Sequence, residues 1–319
     1  ATFAMRGQPP YEPGNHDNLY DGFQTIRANL NRSRNIPAVK ALEAATAEAV
    51  AEKARELGYD VEPYWALALG SFEVTPLQHT AAMAAFANGG VYVEPYFVQR
   101  VEDADGNVIY EASPHAARVW SEETAYIVLD MMHGNVVDRD PAFGLSNRAV
   151  IPGRWIAGKT GTTNDERDIW FVGMTPGLVS SVWIGNDDNT SLPSRMTLSN
   201  GNADQVNSSR QPIYAWNDFV ENALRGRPGG ADGFPVPDGI AFHRIDLKTG
   251  ALDPNGVNAA FRQSDDLSAD AFTNALTISL PIDTATGLRA TIDTPADRIQ
   301  IIEVPPEEAS QYLPAEGAG

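Results

Sequence analysis

The spacing of apolar positions changes character about halfway along the chain, and the predicted elements follow that change. Between Pro37 and Leu57, the residues Val39, Leu42, Ala45, Val50, Ala54 and Leu57 recur near helical spacing, and Gly58 supplies a stop. A second helix is signed at both ends, with Thr75 as N-cap, Pro76 in the first turn and Gly89-Gly90 beyond the last. Val91 to Ala112 reads as a hairpin that turns at Asp103-Ala104-Asp105-Gly106-Asn107. A third helix runs from Ser121 to about His133, with Glu122 and Glu123 in its dipole-favourable first turn. Past Pro152 the pattern becomes that of strands: Arg154–Thr160, Ile169–Thr175 and Leu178–Gly185, the last two joined through Pro176-Gly177. A helix from about Pro212 to Leu224 follows, carrying Tyr214, Trp216, Phe219, Val220 and Leu224. Helices, then antiparallel strands, then a covering helix predict an α+β fold.

The flanks are less regular. Gln8 to Asn35 is turn-rich and broken by Pro9, Pro10, Pro13 and Gly14. Glycine, proline and aspartate are dense between Gly226 and Gly239, which sets a boundary: residues 1–225 form the main domain and residues 226–319 a linker with a small β-rich extension. That extension holds an internal echo, Ile245-Asp246-Leu247-Lys248-Thr249-Gly250 and Ile282-Asp283-Thr284-Ala285-Thr286-Gly287. Each reads as a strand end entering a turn that needs glycine at positive φ, a pair of hairpins rather than a repeated binding unit. Pro305 to Gly319 reads as a frayed tail.

Composition narrows the function classes. Apolar residues make up 43% of the 319 and charged residues 20%, enough for a hydrophobic core, and the absence of cysteine removes disulfides and zinc thiolates. A formal net charge of −19 leaves no basic stripe to neutralise phosphates, so nucleic acid is not a partner. No apolar run approaches the roughly 20 residues that span a bilayer, and Ala1 to Pro10 has no charged leader before an apolar stretch. A membrane anchor is therefore expected only outside this chain. No metal or other cofactor is implied: His16, His79, His115, His133 and His243 form no ligand spacing, and the Asp103–Asn107 turn lacks that of a calcium loop.

One segment carries two chemistries. Gly153-Arg154-Trp155-Ile156-Ala157-Gly158-Lys159-Thr160 matches the phosphate-loop pattern GxxxxGK[ST]. That pattern works only with a helix N-terminus after the lysine, and Gly161-Thr162-Thr163-Asn164 makes a poor helix start. Trp155 and Ile156 are also bulky where a phosphate cradle needs small residues. The other reading is a strand end bordering a cleft, where Lys159 binds a carboxylate and Gly161 lets an acyl group approach the backbone. Lys-Thr-Gly is the third signature of the serine β-lactamase and penicillin-binding superfamily. As a bare tripeptide it equally describes a surface strand with an exposed lysine.

The surroundings decide. Gly158 to Gly173, reading GKTGTTNDERDIWFVG, strongly resembles the corresponding segment of class A penicillin-binding proteins. Ser33-Arg34-Asn35-Ile36-Pro37-Ala38-Val39, preceded by Tyr11, Pro13, Asn15, Gly22, Arg27, Ala28 and Leu30, looks like the family's second signature, Ser-x-Asn, with its Ile-Pro-Ala. Leu69–Leu77, Phe86–Gly90 and Val182–Gly185 with Asp187-Asp188 also resemble it, so the likeness covers roughly Tyr11 to Gly250. On local sequence alone, capping of the helix beginning near Pro37 is the favoured role of Ser33 or Asn35, and the flanking resemblance turns the reading to an active-site role.

The resemblance implies a β-lactamase-like transpeptidase fold and D,D-transpeptidation of peptidoglycan stem peptides ending in D-Ala-D-Ala, with β-lactams as mimics and an extracytoplasmic location. It implies that Ser33 relays protons, Asn35 binds the substrate amide, and Lys159 supplies positive potential. Thr160 and Thr162 then bind the terminal carboxylate, with Gly161 between them and the Thr162 amide in the oxyanion hole. The family's first signature, Ser-x-x-Lys, is missing: no serine of the chain has lysine three positions later. The resemblance places that segment before Tyr11. The expectation is a partial transpeptidase domain that does not acylate by itself, lacking also the glycan-polymerising domain. The rival readings are a β-lactamase or carboxypeptidase of the same fold, and a non-catalytic module that binds stem peptides or partners.

Overall fold

The computed structural model describes residues 2–3, 10–138, 148–197, 201–227, 230–268, 278–290, 294–304 and 311–312. In chain order its elements are α1 (Ile26–Asn31), α2 (Asn35–Ala45), α3 (Ala47–Glu56), α4 (Pro76–Ala87), β1 (Val91–Val93), β2 (Arg100–Glu102), β3 (Val108–Glu111), β4 (Ala116–Arg118) and α5 (Glu122–Val137). There follow β5 (Ala157–Thr162), β6 (Asp168–Thr175), β7 (Leu178–Gly185), β8 (Arg195–Thr197), β9 (Ala203–Gln205) and α6 (Gln211–Ala223). Two hairpins end the fold, β10 (Ile240–Ile245) with β11 (Val257–Arg262) and β12 (Ile278–Asp283) with β13 (Ile299–Val304). The fold is α+β, as the order of elements predicts.

A three-stranded antiparallel sheet, β5-β6-β7, sits between two helical layers. On one face Ile213, Trp216 and Val220 of α6 pack with Phe171 and Val182. On the other, Leu129 and Met132 of α5, with Met83 and Phe86 of α4, pack with Ala157, Val172 and Met174. The sheet accommodates Trp216 because β6 has glycine beneath it: a Cβ on Gly173 would collide with the indole. α2, α3 and the turn at Trp65 form a second cluster around Val39, Leu42, Ala51 and Leu67.

Four local expectations change. The helix expected from Pro37 to Leu57 is two, because Thr46 turns out of the helix at φ 67° and restarts it as the N-cap of α3, accepting from Ala49 N. The hairpin expected over Val91 to Ala112 is nested: β1 pairs with β4, and β2 with β3 beyond them. Pro95 and Pro114 interrupt the two legs, since proline has no N–H for a ladder. The third helix passes its expected end at His133 and runs to Val137. Gly134 is no stop there; a Cβ on it would lie 2.9 Å from the Arg27 guanidinium, so the glycine admits that side chain. The strand expected from Arg154 starts at Ala157 and runs on to Thr162.

The echoed turns are alike, as their sequences require. Gly250 (φ 81°) and Gly287 (φ 69°) each donate back to the aspartate four residues earlier, both at 2.8 Å. The β10-β11 hairpin is tied to the main domain: Ala260 N donates to Asp130 of α5 at 3.0 Å, and Thr25 Oγ1 to Leu247 O at 2.6 Å. The tail from Pro305 lies outside the described residues apart from Gln311 and Tyr312. Among the described residues no helix is long and apolar enough to cross a membrane.

Candidate active site

Ser33 ends a helix rather than starting one. At the C-terminus of α1, Ser33 N donates to Leu30 O and Arg34 N to Asn29 O, both at 3.0 Å, with Ser33 at φ 52°. This is a Schellman motif, whose left-handed position normally belongs to glycine. A side chain there costs about 1–2 kcal/mol. The N-cap position of α2 is Arg34, which makes no side-chain cap bond, so neither Ser33 nor Asn35 caps α2. The turn is held from behind. Buried Arg34 pairs with Asp17 (2.5 Å) and Asp21 (2.6 Å), Ile36 N donates to Asn15 Oδ1 (3.3 Å), and Asn35 Nδ2 to Gly14 O (2.8 Å).

α1 is anchored through Arg27. Its buried guanidinium pairs with Asp130 (2.7 Å) and Asp138 (3.1 Å) at opposite ends of the second half of α5, and donates to Asn258 O of β11 (3.2 Å). Burial raises the Asp130 pKa, opposed by Arg27 and by the Ala260 amide. The cluster fixes where α1, and therefore Ser33, lies relative to α5.

β5 is the edge strand of its sheet. Thr163 N donates to Asp168 O, which sets the phase of the β5-β6 ladder. Odd-numbered residues bond inward to β6, and the amides and carbonyls of Gly158, Thr160 and Thr162 point outward. The outward carbonyls are claimed in order. His133 Nδ1–H donates to Ile156 O (2.6 Å), Asn135 Nδ2 to Gly158 O (2.8 Å), and Lys159 Nζ to Thr160 O (2.9 Å). α5 thus covers the first part of the edge, and the outward amides of Thr160 and Thr162 lie beyond its end.

Lys159 leans toward the helical side, where its Nζ donates to Ser33 Oγ at 2.8 Å. The residue keeps partial solvent contact, but the protein around its ammonium displaces water and lowers its pKa to about 8. Thr162 leans the other way, donating its hydroxyl to Ser208 Oγ at 2.7 Å. Thr160 is half-buried opposite Phe171. A Cβ on Gly161 would rest in ordinary contact with Trp170 at 3.4 Å, so packing does not demand glycine there, whereas a Cβ on Gly158 would sit 2.5 Å from the Phe171 ring.

The structure therefore joins Ser33 to Lys159 and sets Thr160, Gly161 and Thr162 along the open edge. Asn35 lies beside Ser33 with its amide nitrogen engaged by Gly14. Lys159 lies within a strand that leads to a three-residue turn (Asn164–Glu166) and then β6, so no helix N-terminus follows it to hold phosphate. The sequence reading missed His133, Asn135 and Ser208. Asn135 lies past the expected end of the third helix, and Ser208 lies in the polar run Asn207-Ser208-Ser209, where nothing singles it out. Among the described residues no three acidic or histidine side chains gather for a metal.

Comparison with known proteins identifies the family and the fold. Residues 2–196 match the penicillin-binding protein transpeptidase domain. The chain is 36% identical over 246 residues to penicillin-binding protein 1A of Aquifex aeolicus, covering 74% of this chain and 32% of that protein. It is 30% identical over 279 residues to penicillin-binding protein 1A of Vibrio cholerae, covering 76% and 34%. The chain thus spans about a third of the length of these curated relatives. The crystal structure of penicillin-binding protein 1A from Haemophilus influenzae superposes with a TM-score of 0.70 at 26% identity, over 84% of this chain and 44% of that one. PonA1 of Mycobacterium tuberculosis in complex with penicillin V shares the fold at a TM-score of 0.58 and 24% identity, over 74% and 68%. The chain belongs to the penicillin-binding protein transpeptidase family.

Proposed function

We propose that this chain forms two walls of a serine D,D-transpeptidase centre that cross-links peptidoglycan stem peptides outside the cytoplasm and is trapped by β-lactams. The observation that carries this reading is the 2.8 Å bond between Lys159 Nζ and Ser33 Oγ. In the proposed reaction an attacking serine gives its proton to a base outside these residues and adds to the carbonyl of the penultimate D-alanine. The C–N bond to the terminal D-alanine then breaks, and the departing amine needs a proton. Ser33 Oγ–H supplies it and is reprotonated by Lys159, whose pKa near 8 suits exchange close to neutral pH. A second amine, or water, resolves the acyl-enzyme. In this reading the outward amide of Thr162 stabilises the oxyanion; removing one such donor costs about 3–4 kcal/mol in related chemistry. Thr160 and Thr162 hold the substrate carboxylate, Gly161 leaves room beside the strand, and Asn35 binds the substrate amide once its nitrogen exchanges Gly14 for substrate.

No serine of the chain precedes a lysine by three positions, so the attacking serine in this proposal comes from outside these residues. A fluorescent penicillin tests both halves. The 319-residue chain is expected to take up no covalent label. The longest product of its gene is expected to carry one acyl-serine outside these residues, lost in Lys159→Ala. An adduct on a serine of this chain overturns the assignment of the nucleophile, and labelling indifferent to Lys159→Ala overturns the site.

A further inference from the structure

The turn leading into α6 is braced from within. Asn207 Oδ1 accepts from the amide and the hydroxyl of Ser209 (3.1 and 2.7 Å), and Arg210 N donates to Asn207 O (3.2 Å). Gln211 spans the turn, accepting from Asn207 N (3.0 Å) and donating to Gln205 O (2.9 Å), while Arg210 pairs with Asp204. Ser208 differs. Its hydroxyl leaves the turn and meets Thr162 Oγ1 at 2.7 Å, across 46 positions of sequence.

Two hydroxyls carry two protons, and the bond between them uses one. With Thr162 donating, the spare proton is on Ser208; turning both hydroxyls reverses the bond and presents the Thr162 proton to a third group at the open end of β5, where the outward amide of Thr160 is also a donor. Lys159, three positions from Thr162 on the same strand, adds positive charge. A carboxylate suits this set, being acceptor-only with two oxygens and gaining from charge-assisted bonds. A carboxamide does not, because its NH2 would face donors. Ser208, as donor in the reversed bond, then keeps the Thr162 proton directed at the carboxylate.

We propose that Ser208 is a positioning residue that fixes the Thr162 hydroxyl and thereby makes the site select ligands ending in a free carboxylate over those ending in an amide. This rests on the transpeptidase reading of the Lys159 site and adds to it a residue from a different element.

The test is a titration of the 319-residue chain with N-acetyl-D-alanyl-D-alanine and with its C-terminal carboxamide, followed by NMR at the Thr162 amide. The wild-type chain is expected to prefer the acid. Ser208→Ala is expected to lose about three- to tenfold in affinity for the acid, with the carboxamide unchanged. Ser208→Thr, which keeps the hydroxyl, is expected to restore the preference. If Ser208→Ala keeps the preference, or weakens acid and carboxamide equally, the role proposed for Ser208 is wrong. Lys159→Ala separates the two claims. Wild-type chain that binds neither peptide or does not distinguish them, or a preference that survives Lys159→Ala, overturns the transpeptidase reading itself.

Discussion

Ser33 Oγ and Lys159 Nζ lie 2.8 Å apart although 126 positions separate them in the chain. One sits in a helix-terminating turn and the other in the middle of a strand, and neither arrangement needs the other locally. Ser33 even occupies a backbone conformation that glycine would adopt more readily. Strain kept at a position that meets a buried ammonium is the pattern expected of a functional site.

That strain gives a stability prediction. Ser33→Ala keeps the left-handed strain and loses the bond from Lys159, whereas Ser33→Gly loses the bond but relieves the strain. Urea denaturation is expected to find Ser33→Gly more stable than Ser33→Ala by about 1 kcal/mol. Equal stabilities would mean that the turn is unstrained.

Lys159 should be visible in pH dependence. Its folded pKa of about 8 lies below its ordinary value of 10.5, so between these limits the unfolded chain binds the extra proton. Stability contributed by this group therefore rises with pH across that window, by at most about 1.4 kcal/mol per pH unit. Lys159→Ala is expected to lose that rise, and the Lys159 side-chain NMR signals are expected to titrate near 8. Titration at the ordinary lysine value would refute the desolvated ammonium.

Arg27 holds the site in register. Replacing it with methionine leaves Asp130 buried without its cation, and a loss of about 3–5 kcal/mol is expected in chemical denaturation. The triple variant Arg27→Met, Asp130→Asn and Asp138→Asn is expected to recover much of it, since both carboxylates that Arg27 compensates are then neutral. A single variant as stable as wild type would show that the cluster does not anchor α1.

The glycines of β5 are expected to separate fold from function. Gly158→Ala meets the Phe171 ring and is expected to cost about 1–3 kcal/mol in a thermal melt. Gly161→Ala is expected to melt within about 0.5 kcal/mol of wild type and yet to weaken binding of N-acetyl-D-alanyl-D-alanine. Strong destabilisation by Gly161→Ala would assign that glycine to packing.

Much of this was legible in the sequence because local signals carried it. The Thr75-Pro76 start of α4 needs no tertiary information, and it forms with Gln78 completing a capping box. The three sheet strands announced themselves by apolar content and by the Pro176-Gly177 turn. The misreadings came where distant groups overrode local preference. The third helix was expected to end at about His133; the role of Gly134 beyond it, admitting Arg27 from more than a hundred positions away, is invisible to periodicity. Ser33 and Lys159 were recognisable only as family words; their mutual reach depends on α1, α5 and β11 meeting at one buried ionic cluster. Ser208 belongs to no word, and only folding brings it to Thr162.

The capped edge of β5 also bears on solubility. An uncovered strand edge is a template on which another chain can add, and natural proteins blunt such edges to avoid polymerising. Here His133, Asn135 and Lys159 occupy successive carbonyls, so an incoming strand finds no continuous row of acceptors to register against. What stays accessible beyond α5, the outward amides of Thr160 and Thr162, is too short to seed a sheet. The side chains that fasten this strand thereby also guard the molecule against its own copies.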